Sequence, residues 1–155
     1  MAVADRHQSW LVDDADFPAA GNTADLLRFA LRYAVLAPSS HNSQPWLFRV
    51  EGNAVGVYAD RRRRLQVVDP DDRELVMSCG AALAHLTVAL RHFGYAGDVS
   101  PFPDPANRDL LATVGLGQAR APRPGDHQLF RAIDMRHTHR ADFETRPVRH
   151  QILAT

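Results

Sequence analysis

The strongest constraint on the fold is a polar segment at residues 38–46, which reads Pro-Ser-Ser-His-Asn-Ser-Gln-Pro-Trp. It lies between a helical pattern of apolar residues and a run that is typical of a β-strand. Pro38 disfavours a helical conformation at Ala37, so the preceding helix is expected to end there. A connector that needed only solubility would not require two prolines and a tryptophan. We therefore expect a rigid loop, held against a core, that presents amide and hydroxyl groups to a planar ligand.

The patterns around this loop predict an α+β fold in which helices pack on a mainly antiparallel sheet. The run at 71–74 is expected to supply the N-cap of a long helix, with Glu74 in the capping-box position. This helix is interpreted either as the core of a single domain or as a dimer-interface helix, and both alternatives stay open. The expected elements are a helix at 22–37, a hairpin at 46–59, the long helix from 71 to about 93, strands at 97–102 and 111–116, and a short helix at 126–135 with Leu129, Phe130 and Ile133 as its apolar side.

Composition limits the classes of function that the chain can have. Its 155 residues are enough for one domain with its own core, and 18 basic residues balance 18 acidic ones. Every basic residue is arginine, which excludes lysine Schiff-base chemistry and a P-loop lysine. The neutral balance argues against nucleic-acid binding, and the arginine block at 61–64 is expected to be a solvated loop. The eight histidines lack metal-ligand spacing, so no metal site is expected.

The same sequence indicates a cytoplasmic protein. No apolar run approaches the roughly 20 residues of a transmembrane helix, and residues 1–8 lack the apolar middle region of a signal peptide. The single cysteine excludes an internal disulfide and fits a reducing compartment. Neither a membrane partner nor a nucleic-acid partner is expected.

A second candidate site is the alternating run Arg136, Thr138 and Arg140. In an extended chain these three side chains fall on one side. Two guanidinium groups and a hydroxyl suit a phosphate, because arginine offers fixed, paired donors to its oxygens. Taken alone, such a cluster is more often solvated surface. The Arg-Pro-Val run at 146–148 strengthens the phosphate interpretation.

Together the two motifs resemble those of the nitroreductase family. Residues 38–46 match its Pro-Ser-x-x-Asn-x-Gln-Pro-Trp signature, and residues 136–148 resemble its Arg-x-Ser-x-Arg opening with a downstream Pro-Val. The loop precedes the arginine motif here, an order that resembles the branch in which two nitroreductase-like halves are fused in one chain. In that branch the first half also carries blocks like residues 69–75 and 78–83. The resemblance covers roughly residues 25–150.

The resemblance implies FMN-dependent oxidoreduction, with NAD(P)H as electron donor and a small electron-poor acceptor. It implies no catalytic side chain, because the flavin itself carries the hydride chemistry. The arginine motif would hold the FMN phosphate, and the loop would bind the edge of the ring from the opposite half of a dimer. Trp46 is favoured as a core anchor. The implied cofactor-binding residues are Ser39, Ser40, Asn42, Gln44, Arg136, His137, Thr138 and Arg140.

The resemblance also implies how the chain is divided. It gives a nitroreductase-like first half at 22–118 and the start of a second half at 126–155. Weak periodicity predicts an irregular N-terminal arm at 1–21, and prolines and glycines predict a linker at 119–125. Most of the second half would be missing, so the fold is expected to be incomplete, or completed by a second chain as a homodimer or with a complementary half. Two alternatives remain open: a flavin-binding or sequestering module without turnover, and a truncated, non-catalytic half that needs a partner subunit.

Overall fold

A computed structural model describes residues 12–149 and residue 152, and within them three α-helices pack on one four-stranded sheet. This confirms the predicted α+β fold. The predictions for residues 1–11 and for most of 150–155 lie outside the described residues. The helices are α1 (Thr23–Ala34), α2 (Arg73–His92) and α3 (Pro124–Met135), and the strands are β1 (Trp46–Glu51), β2 (Ala54–Ala59), β3 (Tyr95–Pro101) and β4 (Leu110–Ala119). Single 3-10 turns occur at Asp14–Asp16, Ser40–Asn42 and Arg61–Arg63.

The sheet is antiparallel throughout, with the strand order β1-β2-β4-β3. β1 and β2 form the predicted hairpin, whose turn contains Gly52 at a φ of 57°. Glycine accepts this left-handed conformation without the steric cost of a side chain. Alternation along β2 buries Val55, Val57 and Ala59, and the helices cover the face that these residues form.

α1 begins where the sequence predicts, because the Asn22 side chain accepts a hydrogen bond from the Asp25 N–H at 3.0 Å. It ends at Ala34, about one turn earlier than expected, and a turn at 35–37 leads into the polar loop. Leu27 and Tyr33 are fully buried in the core that α1 shares with α2. Burying a leucine of this kind contributes about 1.5–3 kcal/mol.

The start of α2 differs from the prediction, and the capping box with Glu74 is wrong. Asp72 is the N-cap residue, with a φ of 57°, and its side chain makes no capping hydrogen bond. The chain turns back on itself before the helix, so the Asp69 carboxylate accepts from the N–H groups of Glu74 at 3.1 Å and Leu75 at 2.9 Å. Burial alone would raise the pKa of Asp69, but these N–H groups hold it below its usual range.

α2 is the central helix of the core. By length and composition alone it could cross a membrane. In the fold it packs against α1, α3 and the sheet, as a core helix does, and the opposite side leaves Met77 62% exposed. Its buried residues are Leu75, Ser78, Cys79, Ala82, Leu86, Ala89 and Leu90.

α3 packs on α2 through Phe130 and Ile133, which are buried as predicted. Leu129 was predicted on the same apolar side but is 55% exposed. The buried stripe instead includes Asp126, one turn before Phe130, which sets the rotation of the helix. The residues that follow, 136–149, have no regular secondary structure and are exposed throughout. We call this segment the arginine tail.

Candidate functional site

A cavity of about 700 Å³ lies between the polar loop and the N-terminal half of α2. Ser39 and Ser40 contribute hydroxyl groups to one side, while Val68 and Met77 contribute apolar surface. A volume of this size is typical of small-molecule sites. The remaining lining residues are Pro38, Asp69, Pro70, Asp71, Arg73, Glu74, Ser78 and Ala81.

The loop beside this cavity has an unusual backbone. His41, Asn42 and Gln44 have φ angles of 51°, 55° and 47°, although none is glycine. The left-handed conformation costs roughly 1–2 kcal/mol for each such residue. Such strain persists only where the surroundings impose it, and it concentrates at ligand sites. One internal restraint is the Ser39 hydroxyl, which accepts a hydrogen bond from the Gln44 N–H at 2.9 Å.

Two consecutive residues of α2 attach the loop to the core. The Ser78 hydroxyl accepts a hydrogen bond from the Ser40 N–H at 3.3 Å and donates to the Glu74 carbonyl at 2.7 Å. The Cys79 thiol donates to the Pro45 carbonyl at 3.2 Å. The loop is therefore fixed near both of its ends, which explains how it holds its strained conformation.

The arginine block also supports the loop. It was predicted to be a solvated loop, and residues 62–64 are exposed, but the guanidinium groups of the block are also ion-paired. Arg61 pairs with the carboxylates of Asp72 and Asp109, the latter at 2.8 Å from its Nε. Arg63 donates to the Ser43 carbonyl at 3.2 Å. The block therefore links the polar loop, the start of α2 and the segment before β4.

The predicted loop residues do not all face the cavity. Ser39 and Ser40 line it. Asn42 is exposed, and its Oδ1 accepts a 3.5 Å hydrogen bond from Nε2 of Gln44, so this amide pair lies at the outer side of the loop. Trp46 is only 6% exposed and packs in the core below the loop.

The predicted phosphate ligands Arg136, His137, Thr138 and Arg140 lie in the arginine tail and do not line this cavity. The tail begins near His85 of α2. Burial lowers the pKa of His85, and the neighbouring Arg136 guanidinium lowers it too, against the hydrogen bond to the Tyr33 carbonyl. His85 lies seven residues beyond Ser78, which corresponds to about 10 Å along the helix axis. In this chain the predicted phosphate ligands therefore lie outside the cavity that Ser39 and Ser40 line.

The charge of the cavity favours a neutral ring over a phosphate group. Its lining includes the carboxylates of Asp69, Asp71 and Glu74 and the single guanidinium of Arg73. A phosphate would be repelled by this excess of negative charge. A neutral ring with hydrogen-bonding edges would instead meet apolar surface and the serine hydroxyls.

The single cysteine of the sequence, Cys79, is a free thiol buried in the core. Burial raises the pKa of Cys79 to about 11, although the nearby Arg61 opposes the shift, so its sulfur is a thiol at neutral pH. Within residues 12–149, no three His, Cys, Asp or Glu side chains converge as metal ligands would.

Sequence analysis did not identify Ser78 and Asp69 as the residues that position the loop and α2. They fall within blocks 78–83 and 69–75, whose resemblance to the family does not indicate these contacts. A serine inside an apolar helical stripe is a usable signal, because a buried hydroxyl needs hydrogen-bond partners. Its partners, Ser40 and Glu74, could not be identified without the fold.

Several known proteins are similar in sequence. The chain is 42% identical over 139 residues to "Putative NAD(P)H nitroreductase Rv3131" of Mycobacterium tuberculosis, covering 87% of this chain and 40% of that protein. It is 35% identical over 125 residues to "Putative NAD(P)H nitroreductase acg" of the same species, and the match covers 81% of this chain and 38% of that protein. It is 32% identical over 130 residues to "Probable NAD(P)H nitroreductase PigM" of a Serratia species, and the match covers 81% of this chain and 36% of that protein. The chain thus spans about two fifths of the length of these curated relatives.

Two crystal structures resemble parts of the backbone at 17% sequence identity. A nitroreductase-like protein from Streptococcus mutans has a TM-score of 0.48 and aligns with 64% of this chain and 81% of its own. A nitroreductase family protein from Streptococcus pneumoniae has a TM-score of 0.47, with coverages of 88% and 91%. No protein-family model matches the chain.

Proposed function

Because this chain is homologous to nitroreductases over most of its length, we propose that it binds FMN as part of an oxidoreductase that takes electrons from NAD(P)H. The acceptor is a small, electron-poor molecule. Since the chain spans about two fifths of its relatives' length, the activity of the whole protein belongs to this proposal. The observation that carries it is the cavity between Ser39, Ser40 and α2, beside a strained loop whose sequence matches the family signature.

The cavity is proposed to hold the edge of the flavin ring. Val68 and Met77 offer apolar surface to a planar ring. The Ser39 oxygen already accepts from the loop backbone, which leaves its hydroxyl proton for a ligand. The Ser78 hydroxyl, by contrast, is occupied by Ser40 and Glu74 and serves to position the loop.

The FMN phosphate is proposed to bind the arginine tail instead. Arg136 and Arg140 are exposed, and neither is paired with a carboxylate in the part of the chain that the structure describes. Thr138 and His137 add further hydrogen-bonding groups. Because the tail does not line the cavity of its own chain, we propose that a second copy, or a complementary half, brings this motif to the cavity.

FMN, when bound, supplies the hydride chemistry. The residues of this chain would bind and orient it, with serine hydroxyls at the ring edge and guanidinium groups at the phosphate. The amides of Asn42 and Gln44, at the outer side of the loop, would contact a part of the ligand that lies outside the cavity. Rigidity matters here, since small errors in the placement of reacting atoms slow a reaction strongly. No side chain of the cavity is assigned the role of acid or base. A reducing, cytoplasmic location is proposed, in agreement with the buried Cys79 thiol.

The test is oxidation of NADH and of NADPH by the FMN-loaded chain, with a nitroaromatic acceptor. The expected result is turnover that falls at least tenfold in the Ser39→Ala/Ser40→Ala double variant. Ser100→Ala, at an exposed position on β3, is the matched control and keeps full activity. FMN binding without any turnover would contradict the enzymatic proposal and favour a sequestering module. Absence of FMN binding, repaired by adding a complementary chain, would identify a half that depends on its partner.

A further inference from the structure

A second cavity, of about 280 Å³, lies at the other end of α2, where the N-terminus of α3 meets the edge strand β3. Three arginines surround it: Arg91 from the last turn of α2, Arg120 after β4 and Arg123 just before α3. Ala96 and Gly97 add only small groups, so the arginines dominate its surface. We call it the three-arginine pocket.

The charges of this pocket are only partly balanced. Its one carboxylate belongs to Asp126, whose Oδ2 accepts from the Arg120 guanidinium and from the Arg123 N–H at 2.8 Å. Both contacts fix the shape of the pocket, since Asp126 is buried. The guanidinium groups of Arg91 and Arg123 make no hydrogen bond or ion pair with other groups in residues 12–149. Arg91 still acts on Asp126 through space, because its charge adds to the Arg123 N–H and to Arg120 in lowering the pKa of this carboxyl below its usual range. Three guanidinium groups thus share one carboxylate, which leaves an excess of positive charge around the same small cavity.

This arrangement is suited to a small anion with several oxygens. Guanidinium groups bind phosphate oxygens through paired, charge-assisted hydrogen bonds. The N-terminus of α3 adds a favourable electrostatic field, although Pro124 at its first position has no N–H to donate. The volume admits a phosphoryl group with some water, because a water molecule occupies about 30 Å³.

The three-arginine pocket is separate from the proposed flavin site. We call the 700 Å³ cavity beside the polar loop the large cavity. Ala81 is the last α2 residue that lines it, and Arg91 lies ten residues later, or about 15 Å along the helix axis. The arginine tail begins after the opposite end of α3, which is 12 residues and about 18 Å long. We propose that the three-arginine pocket binds a phosphoryl dianion, distinct from the FMN phosphate, through Arg91 and Arg123, with Arg120 positioned by Asp126.

The test follows the thermal unfolding midpoint and the backbone amide NMR shifts of the intact chain during titration with sodium phosphate. Sodium chloride keeps the ionic strength constant, so screening alone cannot produce the signal. The expected result is saturable binding, with shifts at Gly97 and Gly125. The dissociation constant rises about tenfold in Arg91→Gln and in Arg123→Gln, as expected for the loss of one charged hydrogen-bond donor. Arg108→Gln, an exposed arginine outside the pocket, leaves binding unchanged.

A parallel titration with adenosine monophosphate distinguishes the sources of the phosphoryl group. Tighter binding than phosphate, with the same dependence on Arg91 and Arg123, assigns the site to a nucleotide, and equal binding assigns it to free phosphate. Equal midpoints in phosphate and chloride, or binding that survives loss of both arginines, would overturn the proposal. FMN affinity stays unchanged in the double variant, so this result is independent of the proposed function.

Discussion

The N–H of Ser40 donates a hydrogen bond to the Ser78 hydroxyl, 38 residues away, which itself donates to the carbonyl of Glu74. One side chain of α2 thereby fixes the start of the strained loop. Because Ser40 also lines the large cavity, this hydrogen bond connects the rigid core with the proposed ring-binding surface. In the proposed complex Ser78 positions the loop, whereas Ser39 and Ser40 contact the ligand.

Ser78→Ala is predicted to weaken FMN binding about tenfold, because the Ser40 N–H loses its partner and the loop becomes free to relax. Thr87→Ala is the matched control on the same helix, since its hydroxyl donates to the Ala84 carbonyl at 2.8 Å and is distant from the loop. Flavin fluorescence titration measures both. A Ser78 variant with unchanged affinity and an unchanged loop would remove the positioning role from this residue.

Much of the fold could be predicted, because local signals decide it. The hairpin turn at 52–53 and the N-cap at Asn22 follow from single residue types, and the structure has both. The capping box failed because Asp69 and Asp72 compete for the start of α2, and only the turn between them decides which carboxylate reaches the helix. The prediction that Leu129 is buried was wrong, because helical periodicity defines the rotation of a short amphipathic helix only to within about one position.

The candidate site was less accessible to sequence analysis. The loop could be identified from its prolines and polar residues, but its fixation by Ser78 depends on a contact between distant residues. We propose that a second chain brings the arginine tail to the cavity, and spacing within one sequence does not determine such a contact. The three-arginine pocket joins residues from α2, β4 and α3, so its parts do not form a motif along the sequence.

The backbone strain of the loop predicts opposite effects of two substitutions at His41. His41→Gly removes the steric cost of its φ of 51° and is expected to leave stability unchanged or raise it by up to about 1 kcal/mol. His41→Val adds β-branching in the same conformation and is expected to lower stability by at least about 1 kcal/mol. Urea denaturation at pH 7.5 measures both. Equal stabilities would show that the left-handed conformation is not retained in solution.

Tyr33→Phe is predicted to destabilise the fold by about 1–2 kcal/mol, because its hydroxyl donates a 2.6 Å hydrogen bond to the Asp14 carboxylate from a buried ring. Tyr58→Phe is the control, as that hydroxyl makes no hydrogen bond within the described part of the chain. Chemical denaturation gives both values. In a double-mutant cycle with Asp14→Asn, additive effects would contradict a direct bond between the two side chains.

Stability is predicted to fall as the pH drops below about 6.5, the ordinary pKa of histidine. Burial lowers the pKa of both His85 and His92 in the fold; at His92, Asp14 opposes this shift while His127 and Arg131 reinforce it. The unfolded chain therefore takes up protons first, and the free energy of unfolding decreases with acidification until the folded protein is also protonated.

The measurement is urea denaturation between pH 7.5 and pH 5. The His85→Gln/His92→Gln double variant should lose at least half of the slope of stability against pH. The slope should persist in His139→Gln, because His139 is exposed in the arginine tail. A double variant with the full wild-type slope would assign the acid sensitivity to other groups.

The most direct test of the central claim is an FMN titration of the purified chain, followed by quenching of flavin fluorescence. The account predicts saturable binding with a defined stoichiometry, weakened at least tenfold in the Arg136→Gln/Arg140→Gln variant and unchanged in Arg28→Gln, which alters an exposed arginine of α1 paired with Asp25. Absence of saturable quenching, or equal affinity in all three proteins, would contradict it.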